Sequence, residues 1–189
     1  MKEETRRQEI VRIASVLFKE RGYSAVTMRD IANELGIKAA SLYNHIKSKQ
    51  EILHDIIISL AEDFTAGMEL IFNANDSNIG KLQRIIELHV HITTNNQYGM
   101  ASLNNDWMHL EESLDYYLNL RTDYEDNFRN IIKSGIASGE IINVNPEVML
   151  FSILSTLRSL YLWIPKKEDL LQDTLANDLG DVLLKGITL

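Results

Sequence analysis

The chain has no cysteine, and only two prolines and nine glycines among its 189 residues. Without thiols there is no disulfide framework and no thiolate to act as nucleophile or metal ligand. Scarcity of the two strongest breakers fits a chain that is helical almost throughout, and no strand-like alternation or hairpin signal competes. No apolar run reaches the roughly 20 residues of a membrane span. The first ten residues, MKEETRRQEI, are polar and charged where a secretory leader would be apolar. A cytoplasmic protein with no membrane partner is therefore expected. The motif Gly-x-Ser-x-Gly and a glycine-rich phosphate loop are both missing. His89 and His91 diverge by about 200° on a helix and cannot share a metal, while His54 and His109 have no partner at ligand spacing. No catalytic residue, metal or cofactor is expected, and the chain does not read as an enzyme.

What is there begins with Thr27–Asn44, TMRDIANELGIKAASLYN. Met28, Ile31, Ala32 and Leu35 have the spacing of one buried helix face. Gly36 breaks the pattern. Leu42 and Ile46 then give the next segment a narrow apolar face, so Leu42 reads as core. Left over on that segment are Lys38, Ala39, Ala40, Ser41, Tyr43 and Asn44, small residues and hydrogen-bonding tips suited to lie close to a nucleic-acid groove. Helix, glycine turn, helix is the arrangement whose second helix enters the DNA major groove. Such corners also occur in bundles that never touch DNA, so the flanks have to decide.

Upstream, Ile10, Ile13, Ala14, Leu17 and Phe18 form an amphipathic stripe, with Gly22 as its C-cap. Thr27 and Asp30 have capping-box spacing, with Asp in place of the usual Glu. Downstream, Ser48 and Glu51 form a full capping box ahead of a long helix to about residue 72. Charge divides in the same place. Residues 1–50 carry ten Lys and Arg against six Asp and Glu, a net of +4, and residues 51–189 carry nine against twenty-one, a net of −12. A basic module on an acidic body turns one end toward phosphate.

Residues 6–58 resemble the DNA-binding domain of the TetR family of bacterial transcriptional regulators. The likeness rests on Ala14, Leu17-Phe18, Gly22-Tyr23, Thr27, Ile31-Ala32, Leu35-Gly36-Ile37, Leu42-Tyr43, His45 and Ser48-Lys49 before Leu53. Many family members carry Gly or Pro near Ala40, so Ala40 is a departure. The expected fold is all-α, with a three-helix helix-turn-helix domain over 1–50 and a helical effector-binding and dimerisation domain over 51–189.

DNA-binding roles are expected as follows. Lys38, Ser41 and Asn44 reach base edges or phosphates, and the methyls of Ala39 and Ala40 meet a thymine methyl. Thr27 holds a phosphate with its hydroxyl and nearby amides, Lys49 adds a charged phosphate contact, and Arg29 reaches phosphate or base. His45 either packs in the corner or touches DNA. The resemblance implies that Tyr43 donates to a phosphate.

Further on, helices are expected from about 79 to 95, 100 to 112 and 113 to 138. Asn145-Pro146 opens another. Leu150, Ile153, Leu154, Leu157, Leu160 and Tyr161 line it over four turns, while Phe151, Leu162 and Trp163 lie off that stripe. Leu171, Leu175, Leu179, Val182 and Leu183 line the last. The two helices, through Leu150, Ile153, Leu154, Leu157, Leu160, Tyr161, Leu171, Leu175, Leu179 and Val182, are expected to pair by two-fold symmetry into a four-helix dimer interface; a monomer core is the alternative.

The resemblance implies a regulator, usually a repressor, that binds a palindromic double-stranded operator as a homodimer and is released by a small molecule. Candidate effector-lining residues are Phe72, Leu103, Trp107, Met108, Tyr117, Arg121, Tyr124, Phe128, Arg158 and Trp163. Arg158 interrupts the most apolar helix and needs an anion, either an internal acid such as Asp106 or Glu147 or an acidic group on a ligand. The stretch Arg121, Tyr124, Phe128, Gly135, Gly139, Trp163, Pro165 is similar to a TetR subgroup that includes regulators answering to acyl-CoA thioesters. That subgroup usually has a small polar residue near Arg158, so an acyl-CoA and another hydrophobic compound both stand as effectors. A helical adaptor that binds proteins and no DNA is the alternative from a different class.

Overall fold

In a computed structural model, residues 4–166 and 171–188 are described. Nine α-helices occur among them: α1 Arg6–Arg21, α2 Met28–Glu34, α3 Ala39–Leu42, α4 Lys49–Phe72, α5 Asn78–Asn95, α6 Gln97–Asn105, α7 Leu114–Ser138, α8 Pro146–Trp163 and α9 Gln172–Leu184. The only extended pairing among the described residues is a single bridge between Ile141 and Thr188. The expected all-α class holds.

Local chemistry sets most boundaries. Thr5 and Gln8 close a capping box on α1, and Thr27 and Asp30 close one on α2. Each satisfies amides that have no intrahelical partner. At α4 the box expected from Ser48 and Glu51 is only half made. The Ser48 hydroxyl accepts from the Glu51 amide at 3.0 Å, but the Glu51 carboxylate takes the amide of Lys47 at 2.7 Å. Asn145 caps α8, with Pro146 in the first turn where its missing N–H costs nothing. Gly36 ends α2 at φ 66°, with the amides of Gly36 and Ile37 returning to Asn33 and Ala32, both at 3.0 Å. That left-handed cap strains any residue with a Cβ.

One helix differs from expectation. In place of a helix over about 100–112, α6 stops at Asn105 and two short 3-10 turns follow, at Trp107–His109 and Glu111–Ser113. The Asn104 and Asn105 side-chain amides donate to the carbonyls of Met100 and Ala101, at 2.8 and 2.9 Å. Side chains that bond the preceding turn and a backbone entering positive φ at Glu111 do not sustain a helix.

The chain divides into two compact units. The first comprises residues 1–61 and 96–117. Its core contains Ile10, Ala14, Leu17, Phe18, Val26, Ile31, Leu42, Ile46, Leu53 and Ile57; α1 packs on α2 and on α6. The second comprises residues 62–95 and 118–189. There α5 packs against α8 and α9, around Leu82, Ile85, Val90, Phe128, Ile132, Leu154 and Leu157.

The α8 stripe belongs to that second core. Leu150, Ile153, Leu154, Leu157, Leu160 and Tyr161 are all buried within the single chain, as is Leu175 of α9, and Leu179 is half-buried. That burial is within the single chain. Spacing marks a buried face, and the chain's own helices already cover it. Of the expected interface residues only Leu171 and Val182 stay open, at 74% and 77% exposure. The apolar side chains that α8 turns outward are Val148, Phe151, Leu162 and Trp163.

Candidate nucleic-acid interface

The α2–α3 corner presents a polar row on an apolar anchor. Leu42 and Ile46 are fully buried, fixing the segment from below. Helical hydrogen bonding continues past α3: the amides of Tyr43, His45 and Ile46 return to Ala39, Leu42 and Leu42 at 3.0–3.2 Å. Lys38, Ala40, Ser41, Tyr43, Asn44 and His45 are exposed, and Ala39 is half-buried. Tyr43 leaves 51% of its surface open, unusual for an aromatic ring on a well-packed module. His45 is thus on the open side and does not pack in the corner. Arg29, early in α2, is exposed too.

Two expected phosphate contacts are occupied otherwise. The Thr27 hydroxyl donates to the Asp30 carboxylate at 2.5 Å and accepts from the Asp30 amide at 3.2 Å. Those bonds, led by the hydroxyl, hold Asp30 below the usual carboxylate range. A carboxylate therefore already sits at the start of α2, and Thr27 acts as its cap. Lys49 donates to the carbonyls of Tyr23 and Val26, both at 2.8 Å, with its ammonium 4.2 Å from the centre of the Tyr23 ring. Burial pushes Lys49 below its ordinary pKa.

Several residues that hold this module together have no signature in the sequence. Arg7 of α1 pairs with Glu51 and Asp55 of α4, each at 2.7 Å, and donates to the His45 carbonyl at 3.3 Å. Glu51 lies below its usual range because it accepts the Lys47 amide and, against some burial, faces Arg7. The Tyr23 hydroxyl donates to Gln50, Gln50 donates to the His109 carbonyl, and the Tyr23 and His109 rings stack at 5.3 Å. These partners are tens of residues apart, beyond the reach of local spacing.

The effector candidates fall into both units. In the first, Trp107 stacks on Tyr117 at 5.9 Å, Tyr117 donates to the Leu103 carbonyl at 3.4 Å, and Met108 is exposed. In the second, Phe128 and Tyr124 are buried, Phe72 is half-buried and Trp163 is 43% exposed. Arg158 pairs with Glu125 at 2.5 Å, and Arg121 reaches the same carboxylate at 3.1 Å. The internal acid is thus Glu125, neither of the two acids named from sequence; Glu147 pairs with Arg129 instead. Burial raises the Glu125 carboxyl, and the two guanidiniums more than reverse that, leaving it below its ordinary value.

Comparison with known proteins settles what the corner belongs to. Residues 75–187 match the tetracyclin repressor-like C-terminal domain, and residues 10–56 match the domain of bacterial regulatory proteins of the tetR family. The chain belongs to the TetR family. It is a DNA-binding transcriptional regulator with the helix-turn-helix at its N-terminal end, and the enzyme reading falls with that membership. A relative across nearly the whole TetR chain is the HTH-type transcriptional repressor KstR2 of Rhodococcus jostii, 26% identical over 96% of this chain and 91% of that protein. The structure of the ketosteroid transcriptional regulator KstR2 of Mycobacterium tuberculosis has the same fold, with a TM-score of 0.92 at 21% identity over 100% of this chain and 97% of that one. The TetR family regulator PfmR of Thermus thermophilus aligns with a TM-score of 0.81 at 27% identity, covering 93% and 97%. No helix among the described residues is long and apolar enough to cross a membrane.

Proposed function

We propose that this TetR protein is a cytoplasmic repressor that binds a two-fold symmetric operator as a homodimer and lets go when a small apolar effector binds. One observation carries the reading: the exposed row Lys38, Ser41, Tyr43, Asn44 and His45, held rigid by buried Leu42 and Ile46. Donors fixed on an anchored helix read base edges and phosphates without paying for ordering. Arg29, Ala39 and Ala40 complete the contact surface. Lys49 and Thr27 shape it from behind. In this division residues 1–50 read DNA, and residues 51–189 pair the subunits and sense the effector.

One recognition segment reads too few base pairs for a unique site. Pairing places two of them about one DNA turn apart, roughly 34–36 Å or a multiple. The outward residues Val148, Phe151 and Leu162 of α8 with Leu171 and Val182 beside and on α9 are the apolar surface available for that pairing. Repression is carried over from the KstR2 relative's name. An acyl-CoA and a plain hydrophobic compound remain distinct effector classes; the pairing of Arg158 with Glu125 favours the second, since it leaves that guanidinium matched.

Fluorescence anisotropy on a labelled duplex obtained by selection tests this reading. The chain should bind with an affinity that falls steeply with salt, lose it in Tyr43→Ala, and be released by a hydrophobic compound. Salt-independent or absent binding leaves the protein-binding adaptor as the better account.

A further inference from the structure

The second unit buries two polar atoms that no described residue satisfies, His89 Nδ1 and Thr93 Oγ1. They sit one turn apart on α5, on one face, with His89 at 4% and Thr93 at 0% exposure. Two aromatic rings pack on His89: Phe64 at 4.6 Å and Tyr124 at 5.9 Å between ring centres, with Phe64 edge-on to Tyr124 at 6.0 Å. We propose that His89 and Thr93 are the polar subsite for a neutral, mostly apolar effector carrying one carbonyl or hydroxyl oxygen. The proposal rests on the reading of this unit as effector-binding.

The hydrogen-bond chemistry chooses the ligand class. His89 Nε2 lies 2.8 Å from the Tyr124 hydroxyl. Full burial, then the charge of Arg158, holds His89 down at about 3, so the ring is neutral and has one donor and one acceptor nitrogen. Burial raises the Tyr124 phenol, which keeps its proton. If Nε2 carried the hydrogen, the phenol proton would be left without an acceptor as well. The arrangement with fewer orphans has Tyr124 donating to Nε2, which leaves Nδ1–H as a donor. Thr93 has a hydroxyl free to donate, because it does not bond back to the preceding turn as Thr94 does to Val90 at 2.7 Å. Two buried donors beside aromatic rings ask for an oxygen acceptor on an apolar body. A carboxylate fits poorly, since Arg158, whose charge is felt at His89, is matched by Glu125.

Three fragment probes separate the possibilities on the full chain: tetralin, 1-tetralone and 1-naphthoate, titrated by calorimetry with the ring nitrogens of His89 followed by ¹⁵N NMR. The expected result is 1-tetralone binding about three- to tenfold tighter than tetralin, the worth of one good hydrogen bond, and more tightly than naphthoate, with the Nδ1 resonance moving. Thr93→Val should reduce the preference for the ketone, with His89 Nδ1–H still donating, and leave tetralin binding unchanged; His89→Phe serves as the second variant. Equal affinities for tetralin and tetralone, an unmoved resonance consistent with an internal water only, or a preference for naphthoate would each overturn the subsite while an apolar effector site stood. Binding by none of the three overturns the subsite too, and the wider effector reading falls only if DNA release also fails with every hydrophobic compound tried.

Discussion

Lys49 and Tyr23 lock the DNA-binding module together: the ammonium lies 4.2 Å from the ring centre and donates to the Tyr23 carbonyl at 2.8 Å. A second bond to Val26 ties down the whole loop between α1 and α2. Replacing Lys49 by Met leaves the Val26 carbonyl unmatched, while the Tyr23 carbonyl still accepts from the Val26 amide at 3.3 Å, which costs about 1–3 kcal/mol. Urea denaturation should show that loss, with DNA affinity falling less than the fold does. A variant of full stability with abolished DNA binding would make Lys49 a phosphate contact after all.

Tyr43 and Leu42 are neighbours with opposite expectations. Tyr43→Ala should leave the melting temperature within about 1–2 °C, since half of the ring is open, and weaken DNA binding tenfold or more with the salt dependence unchanged, because a neutral hydroxyl displaces no counterion. Leu42→Ala empties a fully buried site and should cost about 2–5 kcal/mol. Thermal melts beside anisotropy titrations distinguish the two.

Two residues of α8 give a sharp pair. Phe151 is 70% exposed and Leu157 is fully buried in one chain. Phe151→Glu should convert the proposed dimer to monomers in sedimentation velocity with the helical circular dichroism intact. Leu157→Ala should lower stability by about 2–5 kcal/mol and leave the association state alone. The reverse pattern would return the stripe to the interface.

His89 predicts a pH dependence of stability. Its folded value of about 3 lies below the ordinary 6.5, so the unfolded chain takes up a proton that the folded chain refuses. The neutral ring's contribution is complete above pH 6.5 and is lost as pH falls toward 3. Between pH 7 and pH 5 this one group should remove about 2 kcal/mol. Urea melts at the two values, with His89→Phe as control, should show the difference shrinking by that amount in the variant.

The helix-turn-helix was legible because its signals are local. Thr27 with Asp30, Gly36, and Leu42 with Ile46 act within one turn of chain, and each did in the structure what its spacing implied. The α8 stripe shows where that kind of reading stops. Periodicity located the buried face from Leu150 to Tyr161 but could not say which helix of the chain packs on it; α5 does. Partners far apart in sequence were invisible for the same reason: Arg7 with Asp55, Tyr23 with Gln50, and Arg158 with Glu125. The buried pair His89 and Thr93 left no sequence signal, since a histidine and a threonine on a mixed helix look like surface residues until the rings around them are placed.

The most direct measurement is selection of duplex DNA from a random pool by the full chain, followed by anisotropy on the enriched sequence with wild type and Tyr43→Ala. The account predicts an inverted repeat with half-sites one helical turn or a multiple apart, bound in a salt-sensitive manner by the wild type and not by the variant. A pool that stays random, or an enriched sequence that Tyr43→Ala binds equally well, would contradict it.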